Sequence, residues 1–205
     1  MVAGKKANKE ALCELFQLDS AKPLICFIGR LVGDKGADLL PEIIRRSLSE
    51  NDNQLSYIIL GSADPHIEWE LQNLKNNYSA NCNVYIGYNE KIAHQIYAGS
   101  DFLLMPSRVE PCGLNQLYSL RYGTVPIVRS VGGLKDTVID FGDEGGYGIR
   151  FIHPSVWDVC YSAGRASELY NNVRHLNSLR RLMMKLDYSW DNSAQQYLDL
   201  YTHLK

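Results

Sequence analysis

The sequence predicts an α/β fold, a parallel sheet with helices on both faces, continued by C-terminal helices. Three observations predict it. Short apolar runs of strand length recur along the chain, and they are continuous rather than alternating, as strands buried on both faces should be. Segments with helical spacing separate them, and strands alternating with helices build βαβ units with right-handed crossovers. After Pro154 the pattern becomes wholly helical.

In order along the chain, a short amphipathic helix is expected over 8–17, with Leu12, Leu15 and Phe16 on one side. The strand-like runs are 24–28, 57–60, 84–86, 102–105 and 125–128, with a weaker one over 147–152. Helical segments fall near 38–50, 65–78, 90–98, 113–122 and 133–140. Pro41 is tolerated only in a first helical turn, so its helix begins close to it or kinks there. The last segment, 193–204, puts Ala194, Tyr197, Leu198 and Tyr201 on one face, which needs something to pack on.

The 205 residues, 45% of them apolar, suit one well-cored domain or one domain with an appendage. A formal net charge of -2 provides no global basic field for nucleic acid or an anionic membrane, so neither is expected as a partner. No apolar run approaches the roughly 20 residues of a membrane span, and the first ten residues lack the apolar core of a secretory signal. The five cysteines are scattered, and none forms a Cys-x-x-Cys pair. A reduced, cytoplasmic protein without structural zinc is expected.

Four loops could carry chemistry, each at the carboxyl end of a strand, where open α/β sheets bind ligands. Gly29-Arg-Leu-Val-Gly-Asp-Lys-Gly36 follows the first strand. Its glycines let the backbone approach a ligand, Arg30 can fork onto a phosphate and Lys35 adds a point charge. It is neither Gly-x-Gly-x-x-Gly nor the Walker loop, so neither of those mechanisms follows. Alone, two basic residues in a loop are usually solvated charges; the third loop reverses that balance. Gly87-Tyr88 follows the third strand, and an aromatic there can stack on a planar ring or be an ordinary half-buried tyrosine. His94, in the next helix, is a lone histidine of the kind that is more often structural.

The third loop is the richest: Pro106-Ser-Arg-Val-Glu-Pro-Cys-Gly-Leu-Asn115, between the fourth strand and a helix-patterned segment ending at Gly123. The start of a helix offers free N–H groups and a positive dipole end, which suit a phosphate. Glu110 just ahead of it can hold something neutral and hydroxylated, such as a sugar. Cys112 has no histidine adjoining it in sequence, which argues against a nucleophilic thiol. The fourth loop, Val131-Gly-Gly-Leu134, permits a tight turn against a ligand or a neighbouring loop, or is a plain strand-to-helix turn. No Asp-x-Asp occurs, so no metal is expected to neutralise a diphosphate; cationic side chains and a helix dipole would do that.

In this order, these segments resemble the C-terminal half of the bacterial and plant type of glycogen and starch synthases. The resemblance rests on Gly29-Arg30-Leu31 with Lys35-Gly36, on Gly87-Tyr88, and above all on Pro106-Ser-Arg-x-Glu-Pro-Cys-Gly-Leu with Gln116-Leu-Tyr and Arg121-Tyr-Gly123. Gly132-Gly-Leu-x-Asp-Thr-Val138 and Asp187-Tyr-Ser-Trp190 also fit, so nearly the whole chain is covered. The wider superfamily of two-domain retaining glycosyltransferases usually has a second glutamate eight positions after the first. Here that position is Tyr118, as in this branch.

The resemblance implies a Rossmann-like donor domain over 21–186, the C-terminal domain of a two-domain GT-B glycosyltransferase. A linker helix region over 1–20 would precede it, and a helix over 187–205 would cross back onto an N-terminal domain. It implies ADP-glucose as donor substrate, no cofactor, and an α-1,4-glucan acceptor held by that other domain, whose Lys-x-Gly-Gly-Leu type loop is absent here. By position, Arg30 and Lys35 would hold the diphosphate, with the backbone N–H groups of Leu114 and Asn115 capping it. Tyr88 would stack on adenine. Glu110 and the Cys112-Gly113 backbone would meet glucose hydroxyls. Arg30, Lys35 and Glu110 form the catalytic set, and Gly29 and His94 complete the donor-binding one. The family often has threonine at position 115; either residue serves a backbone-amide role. A fragment able to bind nucleotide yet inactive alone is expected, with self-association through the orphan C-terminal helix. The alternatives are another retaining glycosyltransferase or a sugar-nucleotide epimerase of the same architecture, or a stand-alone nucleotide-sensing module.

Overall fold

The structure is a computed structural model that describes residues 2–204. Its centre is a six-stranded parallel sheet of β1 (Leu24–Ile28), β2 (Ser56–Gly61), β3 (Cys82–Ile86), β4 (Phe102–Met105), β5 (Val125–Arg129) and β6 (Ile149–Phe151), in the order β3-β2-β1-β4-β5-β6. The chain works outward from β1 to β3, then returns to the other side of β1, so the strand order reverses between β1 and β4. The five stronger apolar runs named above lie in strands, the weaker one over 147–152 shortens to β6, and residues of alternating parity enter opposite faces. Ile25 and Phe27 join one core cluster, Leu24 and Cys26 the other.

The first core is closed by α2 (Leu40–Glu50), α3 (Pro65–Asn77), α7 (Val156–Asn171) and α8 (Val173–Met183). The second is closed by α1 (Val2–Phe16), α4 (Glu90–Gly99) and α6 (Gly132–Thr137). With α5 (Asn115–Arg121) after β4, helices cover both faces, as expected of an α/β Rossmann-like fold. Two 3-10 turns, Gly33–Lys35 and Ala37–Leu39, lead into α2, so Pro41 falls in its first turn without a kink. Asp64 caps α3, accepting from the N–H groups of His66 and Ile67, with Pro65 at its first position.

Helix α1 starts at Val2 rather than near residue 8. Its buried stripe is Lys5, Lys9, Leu12, Cys13 and Phe16, so two lysines occupy positions where an apolar pattern would be sought. Leu15 lies off that stripe and is exposed. The lysines are held by a polar knot beneath the helix. Lys9 Nζ is 2.6 Å from Asp101 Oδ2, Arg180 Nη2 is 2.7 Å from Asp101 Oδ1, and Leu24 N–H donates to Asp101 Oδ2 at 3.0 Å. Lys9 also donates to Lys22 O at 2.6 Å and Tyr170 Oη at 2.9 Å. Lys5 donates to Tyr97 O at 3.0 Å and to Thr124 Oγ1.

The final helix, α9 (Trp190–His203), has no buried residue; Tyr197, Leu198 and Tyr201 of the expected face are all exposed. Among the described residues no helix is long and apolar enough to cross a membrane.

Candidate functional site

At the carboxyl ends of β1 and β4, where strand order reverses, a cavity of about 170 Å³ opens between loops. From the β1 side it is lined by Gly29 and Lys35, from the β4 side by Ser107 and Glu110, and from the start of α5 by Gly113, Leu114 and Asn115. An ion pair spans it: Lys35 Nζ lies 2.6 Å from Glu110 Oε2, with the two side chains 26% and 9% exposed. Ser107 Oγ donates to the same oxygen at 3.1 Å. Arg30 is exposed beside Gly29 and forms no ion pair among the described residues, so its guanidinium fork is free to meet an anion.

Backbone geometry brings these loops together. Gly36 has φ +68, and a Cβ there would sit 2.2 Å from Pro106 O. Only glycine lets the β1 loop lie against the β4 loop at that point. Gly113 has φ +75, so the helix expected to open at Gly113 begins instead at Asn115, and α5 has only seven residues. No side chain caps it. Asn115 instead reaches across the crevice, its Nδ2 donating to Ile28 O at the end of β1 at 2.6 Å. Gln116 Nε2 secures the preceding turn through Cys112 O at 3.1 Å, Gly113 O at 3.0 Å and Thr137 Oγ1 at 3.1 Å.

A clamp absent from the sequence reading braces the whole. Arg108 Nη1 donates to Gly33 O at 2.6 Å and to Asp38 Oδ1 at 2.6 Å, and Nη2 donates to Asp38 Oδ2 at 2.9 Å. The Arg108 and Val109 N–H groups both donate to Asp34 O. Arg129 Nη1 then donates to Arg108 O at 2.8 Å. Arg108 is therefore committed to protein, and donating to the Asp38 carboxylate raises its pKa. The Gly132-Gly133 pair turns against the neighbouring loop: Gly133 N–H donates to Glu110 O at 3.2 Å, and a Cβ at Gly133 would lie 2.0 Å from Cys112 O.

The other expected residues lie outside the cavity lining. Tyr88 is 86% exposed in the loop after β3, at the same end of the sheet but two strands from β1. Cys112 is an exposed free thiol. The other four cysteines are buried, and burial pushes Cys13 up to about 11 and Cys26, Cys82 and Cys160 up to about 12, which leaves those thiols protonated and inert. His94 sits between α4 and α5, its Nδ1 3.1 Å from Tyr122 Oη and its ring against Tyr97, Tyr118 and Tyr122. The structure does not bring it to the crevice. Among the described residues no cluster of three or more His, Cys, Asp or Glu could hold a metal ion.

The family described as Glycosyl transferases group 1 matches residues 8–150. A glycogen synthase of Flavobacterium johnsoniae is 55% identical over 198 residues, 97% of this chain and 42% of that protein. One from Thioalkalivibrio sulfidiphilus is 41% identical over 210 residues, 99% of this chain and 43% of that protein. Among solved structures, the catalytic domain of starch synthase IV from Arabidopsis thaliana bound to ADP and acarbose superposes with a TM-score of 0.85 at 35% identity, covering 97% of this chain and 42% of that one. The chain thus spans less than half the length of the proteins it matches. With the match over 8–150, the reversed parallel sheet and the crevice at its switch point in agreement, this chain belongs to the group 1 glycosyl transferases.

Proposed function

We propose that this chain is the donor-binding part of a retaining glucosyltransferase that extends an α-1,4-glucan from ADP-glucose. The observation that carries the reading is the Lys35–Glu110 pair spanning the crevice between β1 and β4. A nucleotide sugar has an anionic diphosphate and a neutral hydroxylated ring. The crevice offers a cation for the first and a carboxylate for the second, already in contact and partly open to solvent. On binding, Lys35 turns from Glu110 to the diphosphate, and the released Glu110 oxygen accepts from a glucose hydroxyl. Arg30 adds its fork to the diphosphate, the uncapped N–H groups at Leu114 and Asn115 face the same anion, and Tyr88 covers the base.

The chemistry then needs stabilisation of the leaving group. As the bond from C1 of glucose to the diphosphate oxygen breaks, charge grows on ADP, and Arg30 and Lys35 meet it in fixed positions. The glucan hydroxyl bonds to C1 on the face the diphosphate leaves and gives its proton to the departing diphosphate oxygen. The reading assigns no covalent nucleophile, and the cationic residues supply the electrostatic role with no metal. ADP in the starch synthase IV structure supports the nucleotide assignment. We assign acceptor binding to sequence beyond this chain, because the matched proteins are more than twice as long. The exposed apolar face of α9 then docks on that part, and the isolated chain binds nucleotide without turnover. The buried free thiols fit a reducing, cytoplasmic setting.

Calorimetric titration of the chain with ADP, UDP and ADP-glucose tests the reading. ADP is expected to bind over UDP, and Arg30→Ala to abolish the heat. Absence of nucleotide binding, both here and in a protein carrying the additional domain, would overturn it.

A further inference from the structure

The opposite edge of the sheet carries a second charged cavity, of about 320 Å³, between α1, α8 and the turn that leads into β5. Four of the side chains lining it are cationic, Lys5, Arg121, Arg180 and Arg181, and no residue of its lining is acidic. Arg180 is neutralised by Asp101 behind the wall. Among the described residues Lys5, Arg121 and Arg181 form no ion pair. Arg121 spends one N–H on Met184 O, and Arg181 spends its Nε on Asn177 O, which leaves most of both forks uncommitted. The wall is preset, since Arg180 Nε donates to Gly123 O and Lys5 is fixed on Tyr97 O.

Lys5 is buried, and burial together with the nearby Arg180 charge pulls it down to about 7 against the opposing pull of Asp101. Arg121 and Arg181 place two cations at the cavity that no ion pair balances among the described residues, and their forked donors match tetrahedral oxyanions. Asn8 and Tyr122 add polar groups at the margin, and the volume admits more than a bare phosphate.

We infer that this α1–α8 cavity is a second anion site, distinct from the donor crevice, that takes a phosphoryl dianion, either free phosphate or the phosphate of a small ester. Gly123 and Asp101 precede β5 and β4, whereas the donor loops follow β1 and β4, so a phosphoryl group here lies a sheet's length from the sugar-transfer chemistry. Its binding would bridge Arg121 at the end of α5 to Arg181 on α8.

The test is a titration of the 205-residue chain carrying Arg30→Ala and Lys35→Ala, which removes the donor-site cations, with inorganic phosphate and, separately, glycerol phosphate. It is followed by amide shifts at Lys5, Gly123 and Met184. Saturable shifts at these positions are expected, weakened roughly tenfold or more in Arg121→Gln/Arg181→Gln. Both arginines are exposed, so that variant keeps the fold, and Lys5→Met checks the wall independently. Tighter binding of glycerol phosphate would identify an ester as the ligand, and equal binding free phosphate. Shifts confined to the donor loops, or unchanged by the arginine substitutions, would overturn the inference.

Discussion

Two ion pairs of identical length hold opposite ends of the sheet. Lys9–Asp101 at the amino edge and Lys35–Glu110 at the carboxyl edge both measure 2.6 Å. The first has side chains only 7% and 3% exposed and is enclosed by Arg180, Tyr170 and the backbone of Leu24 and Lys22. The second has its lysine 26% exposed at the mouth of a crevice. Length therefore says nothing about role; access does. A pair that water and ligand cannot reach fixes α1 to the sheet, whereas one at the mouth of a crevice is open to exchange with an anion, as the proposed donor role requires.

The largest effect should come from breaking the enclosed pair. Asp101→Asn leaves Lys9 and Arg180 buried without their counter-charge, and should cost about 3–5 kcal/mol in chemical denaturation. A loss below about 1 kcal/mol would mean that water reaches the knot. Next, Lys35→Ala should leave the midpoint of unfolding nearly unchanged, yet lower turnover roughly 100-fold or more in a protein that carries the acceptor domain. Unchanged turnover would remove Lys35 from the chemistry and make both pairs structural.

Lys5 sharpens the contrast through pH. Its pKa is lowered from 10.5 to about 7 in the folded chain, so above pH 7 the unfolded chain binds more protons there than the folded one. Its contribution to stability should therefore rise with pH from about 7 toward 10.5. Comparing wild type with Lys5→Met between pH 7 and 9 isolates that slope before the buried thiols and tyrosines oppose it. Equal slopes would mean that Lys5 keeps its proton. The smallest effect is the control. Arg46–Glu50 is also 2.6 Å, but sits on the outside of α2 with both side chains open, so Glu50→Gln should leave the melting temperature within scatter.

The strands were readable because burial on both faces leaves continuous apolar runs, and Leu24–Ile28 and Phe102–Met105 coincide with their elements at both ends. The loops that line the crevice were readable because parallel topology puts every β-to-α turn at one edge, so Lys35 and Glu110, 75 residues apart, share a pocket. Long-range polar matches carry no such local mark. Nothing near Arg108 announces that Asp38 will take it, and Lys5 and Lys9 look like solvated charges until Asp101 and Thr124 are folded beneath them. His94 shows the same limit: helical spacing gives its face, but whether that face meets a ligand or three tyrosines depends on how α4 packs on α5.

The hydrogen bond from Asn115 to Ile28 O has a consequence for how the crevice is gauged. It is a rung between the end of β1 and the first residue of α5, and it lies in the lining of the cavity itself. The distance between those two rims is bridged by the reach of one amide side chain. Asn115 works as a feeler gauge: a shorter threonine in its place must either draw the two rims together or let go of one. The width of the crevice can thus be retuned by a single residue while every strand stays where it is.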